Sequence, residues 1–103
     1  MGATFANHGV NPITGKKVLK SKYVSKILAV MATAGLYDNA GDWLYMTGTP
    51  AKSGVGGGIL AIVPGKLGIG VVSPPLDTYG NSVRGQKAAA YIIQKLGLNP
   101  LAQ

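Results

Sequence analysis

The sequence has no cysteine and no glutamate, and a single histidine, tryptophan and phenylalanine among its 103 residues. Without cysteine there is neither a disulfide framework nor a thiolate metal site. One histidine and three aspartates (Asp38, Asp42 and Asp77) are too few ligands for an all-protein metal centre, so neither a metal nor another cofactor is expected. No uninterrupted apolar run approaches the roughly 18 to 20 residues of a membrane span, and no membrane association is expected. The opening Met1-Gly2-Ala3-Thr4-Phe5 lacks the basic region and long apolar core of a secretory signal. With the missing cysteine, that points to a reducing cytoplasm.

What is present describes one packed domain, residues 1–103, with 47% hydrophobic residues and a mean hydropathy of +0.24. Ten Lys and Arg against three Asp give a net charge of +7, and Lys16, Lys17, Lys20, Lys22 and Lys26 fall in one short stretch. Such a balance invites a nucleic-acid reading. The aromatic-basic interleaving of an RNA-binding sheet and the spacing of a helix-turn-helix are both missing, so a solvated face is the better reading and no nucleic-acid partner is expected. Charge this unbalanced also suits one piece of a larger protein.

The chain is organised around Pro50-Ala51-Lys52-Ser53-Gly54-Val55-Gly56-Gly57-Gly58 and the apolar run Ile59 to Val63 that follows. A lysine, a hydroxyl and accessible backbone N–H groups at the mouth of a strand suit an anion. The glycines let another backbone, or a substrate, approach closely. A nucleotide phosphate loop is a poor match, because there the lysine follows the glycines and a helix comes next. A corner-turning loop and the Lys-Thr/Ser-Gly element of serine β-lactamases and penicillin-binding proteins both remain open on these residues alone.

Along the chain, residues 1 to 8 read as the end of a helix, and Gly9-Val10-Asn11-Pro12-Ile13-Thr14-Gly15 is turn chemistry. Ser21 is placed to cap a helix through Ala34, with Val24, Ile27, Leu28 and Met31 on one face and Gly35 as the stop. Trp43 to Thr47 has strand composition, with Trp43 and Tyr45 as core residues. Ile59–Val63 and Ile69–Ser73 give two more strands of an antiparallel meander. Asn81 or Ser82 caps a last helix, Arg84–Leu96, buried along Ala88, Tyr91, Ile92 and Leu96 and ended by Gly97. The expectation is an α+β layer, an antiparallel sheet of about three strands flanked by helices. Its free edges and one-sided helix cover leave apolar surface exposed, which favours self-association into a homo-oligomer.

Four blocks in order, residues 9–15, Gly35-Leu36-Tyr37-Asp38-Asn39-Ala40-Gly41, residues 50–59, and Ser73-Pro74-Pro75-Leu76-Asp77 with Gly80-Asn81-Ser82-Val83-Arg84-Gly85, resemble signature blocks of the serine-dependent glutaminase family. The resemblance runs along essentially the whole chain; His8 stands where a glycine is expected. It implies the C-terminal part of a serine β-lactamase/penicillin-binding-protein-like fold. It also implies hydrolysis of L-glutamine to L-glutamate and ammonia through an acyl-serine, without cofactor.

By that resemblance Tyr37 matches the catalytic, substrate-binding tyrosine that passes protons between the nucleophile and the leaving ammonia. Read alone, it is a half-buried core aromatic. Val55 matches the residue whose backbone N–H helps form the oxyanion hole, its side chain serving only in packing, and Lys52, Ser53 and Gly54 support the site. The family's Ser-x-x-Lys nucleophile pair is absent: none of Ser21, Ser25, Ser53, Ser73 and Ser82 has a lysine three residues later. The nucleophile is expected in a missing upstream part of the enzyme, which makes the isolated chain inactive. The alternatives are a non-catalytic interaction module of the same fold and a basic nucleic-acid-binding domain.

Overall fold

The structure, a computed structural model, describes residues 1–102. Its elements are α1 (Gly2–Ala6), α2 (Ser21–Ala34), a 3₁₀ turn (Tyr37–Asn39), α3 (Ala40–Thr47), β1 (Ala51–Ser53), β2 (Gly58–Val63), β3 (Leu67–Val72) and α4 (Val83–Lys95). The strands form one antiparallel sheet in the order β1-β2-β3, with Ala51 opposite Ala61 and Ile59 opposite Val71. This is the α+β architecture expected from the sequence. The turn at residues 9–15 is also as expected: Gly9 and Gly15 both have positive φ, and Asn11 Oδ1 accepts from the Ile13 N–H at 2.9 Å. No helix among the described residues is long and apolar enough to cross a membrane.

Helices cover both faces of the sheet, where the sequence suggested one. Ala51, Ile59, Ala61, Val63 and Ile69 point to one side and pack with Leu36, Trp43, Ala89, Ile93 and Leu98. On the other side Ile62 packs with Ala6 and Met31, flanked by Phe5, Ile27, Leu28 and Leu60. The run Ile59 to Val63 is apolar on consecutive residues, so two covering layers are needed to bury it. α1 comes down onto β3 through two glycines: a Cβ on Gly68 would lie 2.6 Å from Gly2 Cα.

Three local expectations are corrected. Trp43 to Thr47 is helix α3, because Ala40, Trp43 and Thr47 repeat at the spacing of one helix face and all are buried. That period overrides the strand preference of aromatic and β-branched residues. Trp43 is core, 1% exposed, with its indole N–H on Thr49 O, whereas Tyr45 is 91% exposed. The third strand is β1, the Lys52-Ser53 segment itself. In α4 the buried line is Gly85, Ala89 and Ile93, with Tyr91 and Leu96 exposed. Ser82 caps that helix by accepting from the Gly85 N–H, and a Cβ on Gly85 would meet Val71 at 3.2 Å. The buried line thus lies one residue along from the expected Ala88 and Ile92, with Gly85 closest to the sheet at Val71. Finally, α2 starts at Ser21 with Lys20 as its uncapped N-cap, so the Ser21 hydroxyl caps nothing.

Candidate functional site

The site is built where three segments meet at the β1 edge. α2 ends at Gly35, which no other residue could replace without backbone movement, since a Cβ there would lie 1.7 Å from Ala51 O. Leu36 is fully buried beside it and anchors the chain, and Tyr37 follows with φ +52. A left-handed backbone at a bulky residue costs on the order of 1–3 kcal/mol and persists only where its surroundings fix it.

Those surroundings are polar. Ser53 N–H donates to Gly35 O at 3.0 Å, and Ser53 Oγ donates to Asn81 Oδ1 at 2.5 Å. The Asn81 amide in turn donates to Leu36 O at 3.0 Å, and Asn81 is 0% exposed. One turn along the same loop, Asp77 Oδ1 accepts from the N–H groups of Tyr79 and Asn81 and its Oδ2 from Gln86 Nε2. Gln86 also accepts from Asn39 Nδ2 at 3.1 Å, which returns the network to the Tyr37 turn. Burial pushes the Asp77 carboxyl up, but the bonds from Asn81, Gln86, Tyr79 and Gly80 outweigh it and hold it below its usual value.

Lys52 lies on the outward face of β1. Its Nζ sits 4.8 Å from the centroid of the Tyr37 ring and donates to Ser53 O. Gly80 closes the ring's other flank; a Cβ there would stand 3.7 Å from Tyr37 Cε2. Tyr37 remains 44% exposed, with a cation against its face.

Gly54 to Gly57 form the turn between β1 and β2, closed by Gly57 N–H on Gly54 O and Gly54 N–H on Gly58 O, both at 3.0 Å. Val55 is at its tip, 71% exposed, so its side chain is not the packing residue expected. Its N–H has no hydrogen-bond partner among the described residues. Gly54 and Gly56 face open space: a Cβ on either would meet nothing within 4 Å. By contrast Gly57, at φ +97, lies against the backbone of Ser73 and Pro74.

The structure therefore brings Tyr37, Lys52 and Ser53 together and leaves Gly54 and Val55 on the turn just beyond Ser53. The residues that sequence reasoning missed are Asn39, Asp77, Asn81 and Gln86 as one network. Asn81 was legible as a capping residue, but its side-chain bonds span 28 and 45 residues and no local pattern reveals them. The larger concavities lie on the α3–α4 side. A groove of about 490 Å³ is lined by Met46, Asp77, Gln86, Lys87, Ala90 and Tyr91, among others, and so borders the network at Asp77 and Gln86.

The edge strand β1 with Lys52 and Ser53, a glycine turn whose Val55 N–H has no partner among the described residues, and a tyrosine beside the lysine thus line one edge of an α+β sheet. The family model described as Glutaminase matches residues 1–100, and the chain belongs to the glutaminase family. It is 58% identical over 99 residues to a glutaminase of Colwellia psychrerythraea, covering 96% of this chain and 32% of that protein. It is 59% identical to a glutaminase of an Escherichia coli O81 strain, with the same coverage of each. Among solved structures, a Bacillus subtilis glutaminase in covalent complex with 5-oxo-L-norleucine, formed by reaction with 6-diazo-5-oxo-L-norleucine, superposes with TM-score 0.92 at 35% identity, covering 96% of this chain and 36% of that one. A structure described as probable glutaminase YbaS gives TM-score 0.92 at 59% identity, covering 95% and 32%. The chain thus spans about a third of the length of the curated relatives it matches.

Proposed function

We propose that this chain supplies part of the active site of a glutaminase that hydrolyses L-glutamine to L-glutamate and ammonia through an acyl-serine intermediate. The observation that carries the reading is the Lys52 ammonium 4.8 Å above the ring of Tyr37, in a chain of the glutaminase family. Tyr37 relays the proton of the nucleophilic serine to the departing amine. Lys52 supplies positive charge where anionic character develops, and the unpartnered Val55 N–H donates to the oxyanion. Ser53 fixes the strand to the Tyr37 turn, and Gly54 leaves room above it for the substrate. The serine is not one of the five in these residues, none of which is followed by lysine at the third position. The reaction so written uses no cofactor, and by this reading the chain alone hydrolyses nothing. We place the whole enzyme in the cytoplasm as a homo-oligomer, a reading supported by the missing cysteine and by the edge of β3, which α1 and α4 cover only in part.

A chimera tests this reading: residues 1–100 replace the matching segment of the Colwellia psychrerythraea glutaminase, and ammonia release from L-glutamine is measured. Release proportional to protein is expected from the chimera and none from the 103-residue chain above a blank. A folded chimera that releases no ammonia would sink the proposal.

A further inference from the structure

We infer that Asn81 is a positioning residue whose carboxamide holds the Tyr37 turn against the Lys52 strand, so that the ring and the ammonium are paired before any substrate arrives. The importance of the pair rests on the function proposed above; the positioning itself does not. Three observations converge on this side chain. It is completely buried, and buried polar groups persist where every bond is made. Its nitrogen faces Leu36 O, which only accepts, so its oxygen is the one that receives the Ser53 hydroxyl. Leu36 immediately precedes Tyr37, and Ser53 immediately follows Lys52. One amide therefore joins the residue before the ring to the residue after the cation.

The need for such a tie comes from the backbone. Tyr37 has φ +52, a conformation that a bulky side chain does not favour and that the surroundings must hold. The amide also sits at the end of a rigid support: its own N–H and C=O are both bonded to Asp77, at 3.0 and 2.8 Å. Asp77 is held by Gln86 on α4, and Gln86 accepts from Asn39 at the far end of the same turn. The turn is thus gripped on both sides of Tyr37, at Leu36 by Asn81 and at Asn39 by Gln86. Of the two grips only Asn81 also holds β1.

The test reads position without relying on turnover. The Tyr37 ring current shifts the ε-methylene protons of Lys52 upfield, and Lys22 over Tyr23 and Lys95 over Tyr91 serve as controls within the same chain. In the chimera that carries residues 1–100, isotope-labelled only at the lysine ε-carbons, the Lys52 signal is identified by its loss in Lys52→Arg. Asn81→Asp keeps the size of the side chain but turns a carboxylate oxygen toward Leu36 O. The expected result is loss of at least half of the upfield shift of Lys52, with Lys22 and Lys95 unmoved. A Lys52 signal unchanged in Asn81→Asp, or one not shifted in the wild type, overturns the inference. Should Asn81→Asp fail to fold, all three shifts collapse together, and Ser53→Ala with Asn81→Ser takes its place. Partial loss confined to Lys52 is then expected, and an unmoved Lys52 in both folded variants overturns the inference. A Tyr37 without any catalytic role would leave all of these results as they are, so failure of the glutaminase reading is separately visible.

Discussion

The two edges of the sheet are built in opposite ways. The β1 edge is three residues long, has a charged residue at its centre and is tied by Ser53 to Gly35 O and Asn81. The β3 edge is twice as long, six residues reading Leu-Gly-Ile-Gly-Val-Val, without charge or proline. Among the described residues it pairs only with β2, and Val72 at its end is 79% exposed. Short length, a lysine and a covering loop are the devices that keep an edge from pairing with other chains. β1 has all three, and β3 has only the partial cover of α1 and α4. The candidate chemistry lies on the guarded edge, where a fixed geometry is needed, and the bare edge presents unpaired backbone.

The sharpest way to break this contrast is to disturb the turn that leaves β1. In the chimera, Val55→Pro removes the free N–H and is expected to lower turnover by about 10² to 10³, the usual cost of one oxyanion-hole donor. Val55→Ala retains the donor and most of the activity, and a backbone ester at Val55 should reproduce the proline loss without a ring. Steady-state ammonia release decides among them; full activity in the ester variant would make the turn a shaping element only. Tyr37→Phe keeps the packing against Gly80 and loses only the hydroxyl. A loss of about 10² in kcat with an unchanged melting temperature is expected, and wild-type turnover would return Tyr37 to a packing role.

Smaller effects compare the two edges through their glycines. Gly35→Ala forces a methyl into Ala51 O, and a denaturation midpoint lower by the equivalent of about 1–3 kcal/mol or more is expected. Gly70 on β3 has open space where its Cβ would be, so Gly70→Ala should be neutral or gain up to about 1 kcal/mol. Equal losses at both positions would erase the contrast. At the bare edge, the 103-residue chain is expected to self-associate in light scattering, and Val72→Lys to shift it toward monomer, although the net charge of +7 opposes association throughout. A wild-type chain that stays monomeric at high concentration would show that α1 and α4 already protect β3 sufficiently.

The smallest expected effect is on pH dependence. The Asp77 carboxyl is held below its usual value, so the folded state binds fewer protons there than the unfolded chain. Its contribution to stability is complete above the unfolded value of about 3.9 and is lost as pH falls through the lower folded value. Urea midpoints measured down that acidic range should therefore fall less steeply in Asp77→Asn than in the wild type. Parallel profiles would remove Asp77 from the network that grips the Tyr37 turn.

Much of this was legible from local signals. Turn residues marked the loop at Asn11 and Pro12, apolar spacing marked α2, and the continuous apolar run marked β2. The Lys52-Ser53-Gly54 stretch stood out as the centre of the chain, and with the other blocks it pointed to the family that residues 1–100 match. α3 was not legible, because Trp, Tyr and Thr in a five-residue window carry strand preference, and the burial of Ala40, Trp43 and Thr47 along one face settles the matter as helix.

By itself, then, the sequence determined where glycines and prolines break the chain, which runs are apolar enough to be buried, and which residues carry charge and hydroxyls. Tertiary structure alone decided which of those residues meet. Tyr37 and Lys52 are separated by a helix and a turn, and they come together because Gly35 lets α2 end against Ala51 O. Asn81 bonds their neighbours Ser53 and Leu36 from 28 and 45 residues away. Local propensity reports only the conformations a short segment prefers. Contacts across that distance are selected by burial of the whole core and by the requirement that each buried polar group find its partner.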